Sequence, residues 1–215
     1  MTRDRGGTKL PSRGGAHRGD VLRLALGAVI TAACALLVTG RPVGRFEADA
    51  FRVVNRLPAF LEAPLWVVMQ AGSLAAIAVA AGAAFLWGRR RLAANLAIGG
   101  TIAWIAAKLA KVAVARGRPA TLLADVLLRG SEQVGLGFPS GHVTVAAALA
   151  TIAAQWLPRP WRLVAWCAVA VVGLARMYVG AHLPGDALGG AALGVAIGAA
   201  VRLCDGALGS GQRNR

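Results

Sequence analysis

Residues Phe138-Pro139-Ser140-Gly141-His142-Val143-Thr144-Val145-Ala146-Ala147-Ala148-Leu149-Ala150-Thr151-Ile152-Ala153 run from a short polar cluster straight into an apolar stretch that carries no charge before Arg159. Proline and serine suit a helix start, and glycine lets a backbone approach a ligand closely. A histidine at the mouth of such a run needs a reason, because ionisable groups beside long apolar segments are costly to keep. Reading outward, apolar runs bounded by polar clusters recur along the chain. A hydrocarbon core of about 30 Å takes about 20 helical residues to cross. Runs of that order lie near 21–39, 64–87, 92–115, 142–158, 161–180 and 186–204. They predict an all-α, polytopic membrane protein with six transmembrane helices.

Composition supports that class. Hydrophobic residues make up 57% of the 215 and charged residues only 15%, with a mean hydropathy of +0.60. Soluble domains carry roughly a quarter charged residues. The net charge of +15 does not point to nucleic acid, because the basic residues gather at the ends of apolar runs instead of forming a stripe. Cys34, Cys167 and Cys204 sit in apolar stretches without a CxxC pair, so they read as packed thiols. None has an arginine six positions later, which excludes a cysteine-dependent phosphatase loop.

Residues 1–20, with Arg3, Arg5, Lys9, Arg13 and Arg18 among Gly, Ser and Pro, read as a disordered basic tail. The run at Val21–Thr39 is too long for a signal-peptide h-region, and Thr39-Gly40-Arg41-Pro42 is a poor cleavage site. Residues 21–204 then form the membrane domain, and 205–215 a short tail. The N-terminal tail, Gly88-Arg89-Arg90-Arg91, Pro158-Arg159-Pro160-Trp161-Arg162 and the C-terminal Arg202, Arg213 and Arg215 fall on one side of a six-span arrangement. The positive-inside rule makes that side cytoplasmic, with both termini. The connections at 40–63, 116–141 and 176–186 carry Glu47, Asp49, Glu62, Asp125, Glu132 and Asp186 and face the other way. Within 44–63, Phe46, Phe51, Val54, Leu57, Phe60 and Leu61 alternate with Arg45, Arg52 and Arg56 at helical spacing, as in an interfacial amphipathic helix. Gly190, Gly194 and Gly198 repeat every four residues and predict a smooth ridge for helix packing.

Three polar clusters carry candidate chemistry, and the orientation puts them on one face. Lys111 and Arg118 are seven residues apart, two helical turns, and share a face if the helix continues that far. Lys108 reads as a lysine reaching for the interface, a reading also open for Lys111. Ser140, Gly141 and His142 open the fourth span, where free N–H groups attract anions. Arg176 precedes His182 by six residues, and Asp186 follows it by four. A carboxylate on one imidazole nitrogen fixes the tautomer and leaves the other free to attack phosphorus. A guanidinium binds phosphate oxygens bidentately. A metal is disfavoured, since the neighbours are cations and Asp186 is the one carboxylate nearby.

The order Lys-x6-Arg-Pro (Lys111 to Pro119), Pro-Ser-Gly-His (Pro139 to His142) and Arg-x5-His-x3-Asp (Arg176 to Asp186) resembles the type 2 phosphatidic acid phosphatase (PAP2) superfamily. The likeness covers about 64–204. It implies a metal-independent, cofactor-free lipid phosphatase of the bacterial cytoplasmic membrane with an extracytoplasmic, periplasmic-face active site. By that resemblance His182 is the nucleophile, Asp186 orients it, and His142 is the acid and base. Lys111, Arg118, Arg176, Ser140 and Gly141 hold the phosphate of a lipid in the outer leaflet. A polyprenyl phosphate or diphosphate is slightly favoured over phosphatidate or phosphatidylglycerol phosphate. The alternative is a catalytically weak relative that binds lipid phosphates or acts as a scaffold. It draws on one departure: Ala175 stands where the family usually has serine, a loss worth about 1 kcal/mol of phosphate binding.

Overall fold

The computed structural model describes residues 13–130 and 134–211, and the described residues contain helices and no strands. The expectations for residues 1–12, Glu132 and residues 212–215 lie outside them. In chain order the helices are α1 (Arg13–Val38), α2 (Arg45–Asn55), α3 (Glu62–Met69), α4 (Leu74–Leu86), α5 (Arg90–Val114), α6 (Pro119–Leu122), α7 (Gly141–Ala153), α8 (Arg159–Tyr178) and α9 (Pro184–Gly211). Four helical stretches, in α1, α5 with α6, α8 and α9, are long and apolar enough to cross a membrane. The α3–α4 pair makes a fifth if it counts as one span. With the composition, these make the chain an integral membrane protein.

Two of the six expected spans differ from simple crossings. The run near 64–87 is broken: α3 passes through a 3-10 turn at Gln70–Gly72 into α4, and the two axes differ by 66°. Ser73 is the cause, adopting an extended conformation as the N-cap of α4 with its Oγ accepting from Ala76 N–H at 3.3 Å. The run near 142–158 yields only the 13-residue α7, about 20 Å long. Every α7 residue from Val143 to Ile152 is buried, so its apolar surface is covered by other helices on all sides.

α9 is the axis of the bundle, packing along α1 on one side and α7 on the other; α5 packs on α4 and α7, and α8 on α3 and α7. The expected glycine ridge lies against α7. A Cβ on Gly190 would stand 2.7 Å from the Ser140 carbonyl oxygen, one on Gly194 2.8 Å from Ala147 Cβ, and one on Gly198 2.6 Å from Thr151 Cβ. Without a strong hydrophobic drive between helices in lipid, this close backbone approach supplies much of the attraction.

Three boundaries fall elsewhere than the composition implies. α1 begins at Arg13, so residues 13–20 are helical and not part of a disordered tail. Asp20 is buried because its oxygens take Arg23 Nη1 at 2.7 Å and Arg202 Nε at 3.0 Å, tying α1 to α9. α9 likewise runs past 204 to Gly211, anchored where Asp205 Oδ1 accepts from Arg91 at 2.9 Å. The helix expected over 44–63 ends at Asn55, before Pro58. Its Phe51 is fully buried beside Met177 and Leu183, while Phe46 and Val53 stay exposed. Asn55 closes the element by bonding the Leu127 N–H and the carbonyls of Leu127, Met177 and Tyr178.

The glycine ridge yields a paired test. Gly194→Ala is expected to destabilise the detergent-solubilised protein by about 1–3 kcal/mol through overpacking. Gly82→Ala, whose Cβ meets nothing within 4 Å, is expected to be neutral or stabilising by up to about 1 kcal/mol from helix propensity. Thermal melts of the two variants compare them directly.

Candidate active site

At the end of the bundle remote from Asp20 and Arg202, four chain segments converge: the end of α5, the start of α7, the α8–α9 turn and the start of α9. Backbone bonds lock them together. Ser140 N–H donates to the Asp186 carbonyl at 2.9 Å, and Gly137 N–H donates to the Arg116 carbonyl at 2.7 Å. The two histidine clusters, 40 residues apart in sequence, are thus hydrogen-bonded neighbours.

Lys111 and Arg118 do not share a helical face. α5 stops at Val114 with Ala115 in the left-handed region at φ 51, its N–H returned to the Lys111 carbonyl. Arg118 sits extended at φ −84, ψ 163, as the N-cap of α6. The residue before a proline avoids the helical region, so Pro119 forbids the continuation. The cations meet anyway by different routes. Lys111 Nζ donates to the Leu136 and Gly137 carbonyls at 2.9 and 2.8 Å, bracing the loop that leads to Pro139. Arg118 Nη1 donates to the Ala181 carbonyl at 3.1 Å, next to His182.

Arg176, in the last turn of α8, is buried and directs Nη1 to Met69 Sδ at 3.1 Å. α8 ends at Tyr178, and Gly180 at φ 78 lets the chain turn back. Val126, Leu127 and Leu128 crowd this glycine, leaving no room for a Cβ. His182 follows in the turn, 2% exposed, and Asp186, fully buried, lies in the first turn of α9. His182 Nδ1 faces Asp186 Oδ2 at 3.6 Å, slightly beyond hydrogen-bond length. Burial pushes the His182 imidazole down to about 3, with Arg176 and Lys111 acting in the same direction and Asp186 against it. The ring is therefore neutral at ordinary pH.

His142 is half-buried in the first turn of α7, within electrostatic range of Lys111, Arg118 and Arg176. Its backbone is backed by the break between α3 and α4, where a Cβ on Gly72 would overlap the His142 carbonyl. Ser140 is fully buried, and its Oγ has no hydrogen-bond partner among the described residues. Gly141 sits at the N-terminus of α7, whose free N–H groups favour an anion. All eight residues expected at the site thus belong to one region at this end of the bundle. No three His, Cys, Asp or Glu side chains come together as metal ligands among the described residues. Ala175 is fully buried in an apolar cluster with Met69, Tyr178, Val179 and Ala181.

Two charged residues reach this site that sequence reading passed over. Arg116 Nη1 donates to Asp186 Oδ1 at 2.8 Å, and its Nη2 donates to Glu47 Oε2 at 2.6 Å. The one available signal for Arg116 was its place between Lys111 and Arg118. Glu47 stood out only as one acid among several in its connection. Arg129 Nη1 donates to the carbonyls of Asn55 and Tyr178, and its guanidinium lies 4.0 Å from the Tyr178 ring, so the long connection is clamped over α2 and α8.

A family model of the PAP2 superfamily matches residues 90–209, more than half of the chain and all three clusters. Among solved structures, the fold is similar to a transmembrane PAP2-type phosphatidylglycerolphosphate phosphatase from Bacillus subtilis. That match has a TM-score of 0.65 at 20% identity, over 86% of this chain and 95% of that one. It is also similar to Aquifex aeolicus LpxE, with a TM-score of 0.63 at 21% identity over 74% of this chain and 96% of that one. No curated protein matches the sequence. A family match spanning Lys111 to Asp186, on a fold shared with these proteins, establishes that the chain belongs to the PAP2 superfamily.

Proposed function

We propose that the protein is a membrane lipid phosphatase that hydrolyses a lipid phosphate monoester or diphosphate through a phosphohistidine at His182. The observation that carries this reading is a buried imidazole with one nitrogen turned to a buried carboxylate, in a region that gathers Lys111, Arg118 and Arg176.

The chemistry follows from the groups. The lone pair of His182 Nε2 attacks phosphorus while Nδ1–H turns to Asp186. The bond from phosphorus to the leaving oxygen breaks, its electron pair stays on that oxygen, and His142, which takes up a proton once the phosphate offsets the surrounding cationic charge, supplies that proton. Neutral His142 then takes a proton from water as that water attacks the phosphohistidine. Inorganic phosphate leaves, and both histidines return to their starting states. Lys111, Arg118 and Arg176 neutralise the equatorial oxygens, where charge spreads in the transition state. Ser140 Oγ and the Gly141 N–H complete the cradle. No step uses a metal.

The membrane arrangement belongs to the same reading. α1, the broken α3–α4 pair, α5, α7, α8 and α9 count as six crossings, with α7 a short one sheathed by its neighbours. The basic segments at 88–91 and 158–162 lie at the Asp20 end, which makes that end cytoplasmic and the site extracytoplasmic. Lipid headgroups enter from the outer leaflet, with α2 along its surface. A polyprenyl carrier is slightly favoured, because its recycling requires dephosphorylation on that face.

Purified protein assayed in parallel against a polyprenyl phosphate or diphosphate, phosphatidate and phosphatidylglycerol phosphate is expected to release inorganic phosphate from at least one. His182→Ala is expected to lower kcat by roughly 10³-fold or more, as loss of a nucleophile does. Full activity in that variant would exclude the nucleophile assignment. Vanadate, which mimics a five-coordinate phosphorus, is expected to inhibit, and EDTA to leave activity unchanged. Inactivation by EDTA with rescue by a divalent cation would overturn the metal-free route.

A further inference from the structure

Arg116 and Glu47 lie behind the proposed phosphate-binding residues, joined to the carboxylate that faces His182. Arg116 is 6% exposed, and a buried guanidinium is tolerated only with charge partners. Its Nη1 donates to Asp186 Oδ1 at 2.8 Å and to Glu47 Oε1 at 3.1 Å, and Nη2 donates to Glu47 Oε2 at 2.6 Å. Glu47 Oε1 also accepts from Gly185 N–H at 2.9 Å, in the first turn of α9. Glu47 itself sits in the first turn of α2. One continuous chain of contacts therefore runs from the surface helix through Glu47, Arg116 and Asp186 to His182.

We propose that Glu47 and Arg116 are positioning residues for phosphoryl transfer, acting through Asp186 on His182. The inference rests on the reading of His182 as nucleophile. Geometry supplies the first part. Arg116 holds Asp186 Oδ1, while Oδ2 accepts from Leu183 N–H at 2.9 Å and faces His182 Nδ1. With one oxygen held, the carboxylate cannot rotate away from the imidazole.

Charge supplies the second part. When Nε2 bonds to phosphorus and the leaving oxygen departs with its electron pair and the His142 proton, the His182 ring keeps its Nδ1 proton and becomes cationic. An Arg116–Asp186 pair alone is neutral and attracts that cation weakly. Glu47, itself partly exposed, gives the trio a net negative charge against the buried Arg116 and Asp186, around which screening is poor. Its contribution grows as the ring charge develops, so it belongs to kcat and not to substrate binding.

Glu47→Gln keeps the shape and an acceptor oxygen but removes the charge. The assay uses full-length protein in detergent and the lipid phosphate monoester that wild type turns over fastest. Glu47→Gln is expected to lower kcat about tenfold, the scale of coupling within one buried network. KM stays within about twofold, and the thermal melt is unchanged. Glu47→Asp recovers part of kcat, and Arg116→Lys shows the same loss, since one ammonium cannot engage both carboxylates as the fork does. A Glu47→Gln kcat within about twofold of wild type, or a change confined to KM, would overturn the proposal. If Glu47→Gln does not fold, Arg116→Lys decides by the same split. His182→Ala keeps the two readings apart: an inactive His182→Ala beside a normal Glu47→Gln rejects the clamp alone, whereas an active His182→Ala rejects the nucleophile.

Discussion

Asp186 is a carboxylate with no exposed surface, and a buried charge left without partners costs several kcal/mol. The rest of this end of the molecule meets that requirement. The Arg116 guanidinium and the Leu183 N–H each take an oxygen of it, and the start of α9 places it at the positive end of a long helix dipole. Each partner constrains an element. α5 must end before Arg116 for the guanidinium to turn inward, and α8 must stop at Tyr178 for the turn carrying His182 to fit. α2 must cross the site for Glu47 to balance Arg116.

A second constraint operates along the helices. Four glycines of α9, at 189, 190, 194 and 198, lie too close to Phe138, Ser140, Thr144, Ala147, Ala148 or Thr151 for any side chain. α7 is thereby pulled into the middle of the bundle, where neighbouring helices cover the apolar surface of its 13 residues. The break at Ser73 serves the same packing. It brings Gly72 against the His142 backbone, so the interrupted second run and the position of His142 are one structural fact.

Much of this was legible beforehand because the membrane simplifies the code. Apolar runs had to be helices, glycines four apart had to make a ridge, and cations among apolar residues needed a reason. Lys111, His142, Arg176, His182 and Asp186 stood out for that reason. The boundaries were less legible. Residues 13–20 looked soluble by composition, yet the Asp20–Arg202 ion pair joins positions far apart in the chain and makes them helical. The shared helical face of Lys111 and Arg118 assumed local regularity, and Pro119 with the left-handed Ala115 broke it.

The sequence by itself determined the class of protein, the number of apolar runs, the family and the residues whose chemistry suits a phosphate. The class, the runs and the residues follow from composition and short-range spacing, while the family rests on the likeness of the three ordered motifs to the PAP2 pattern. Only the tertiary structure decided that Arg118 meets the α8–α9 turn from a loop, that α3 and α4 bend at Ser73, and that Arg116 and Glu47 stand behind Asp186. Glu47 and Arg116 are 69 positions apart, and Arg116 and Asp186 are 70. No local pattern distinguishes a buried, paired charge from a solvated one; the difference arises when distant helices exclude water around it and leave each charge only the other to answer it.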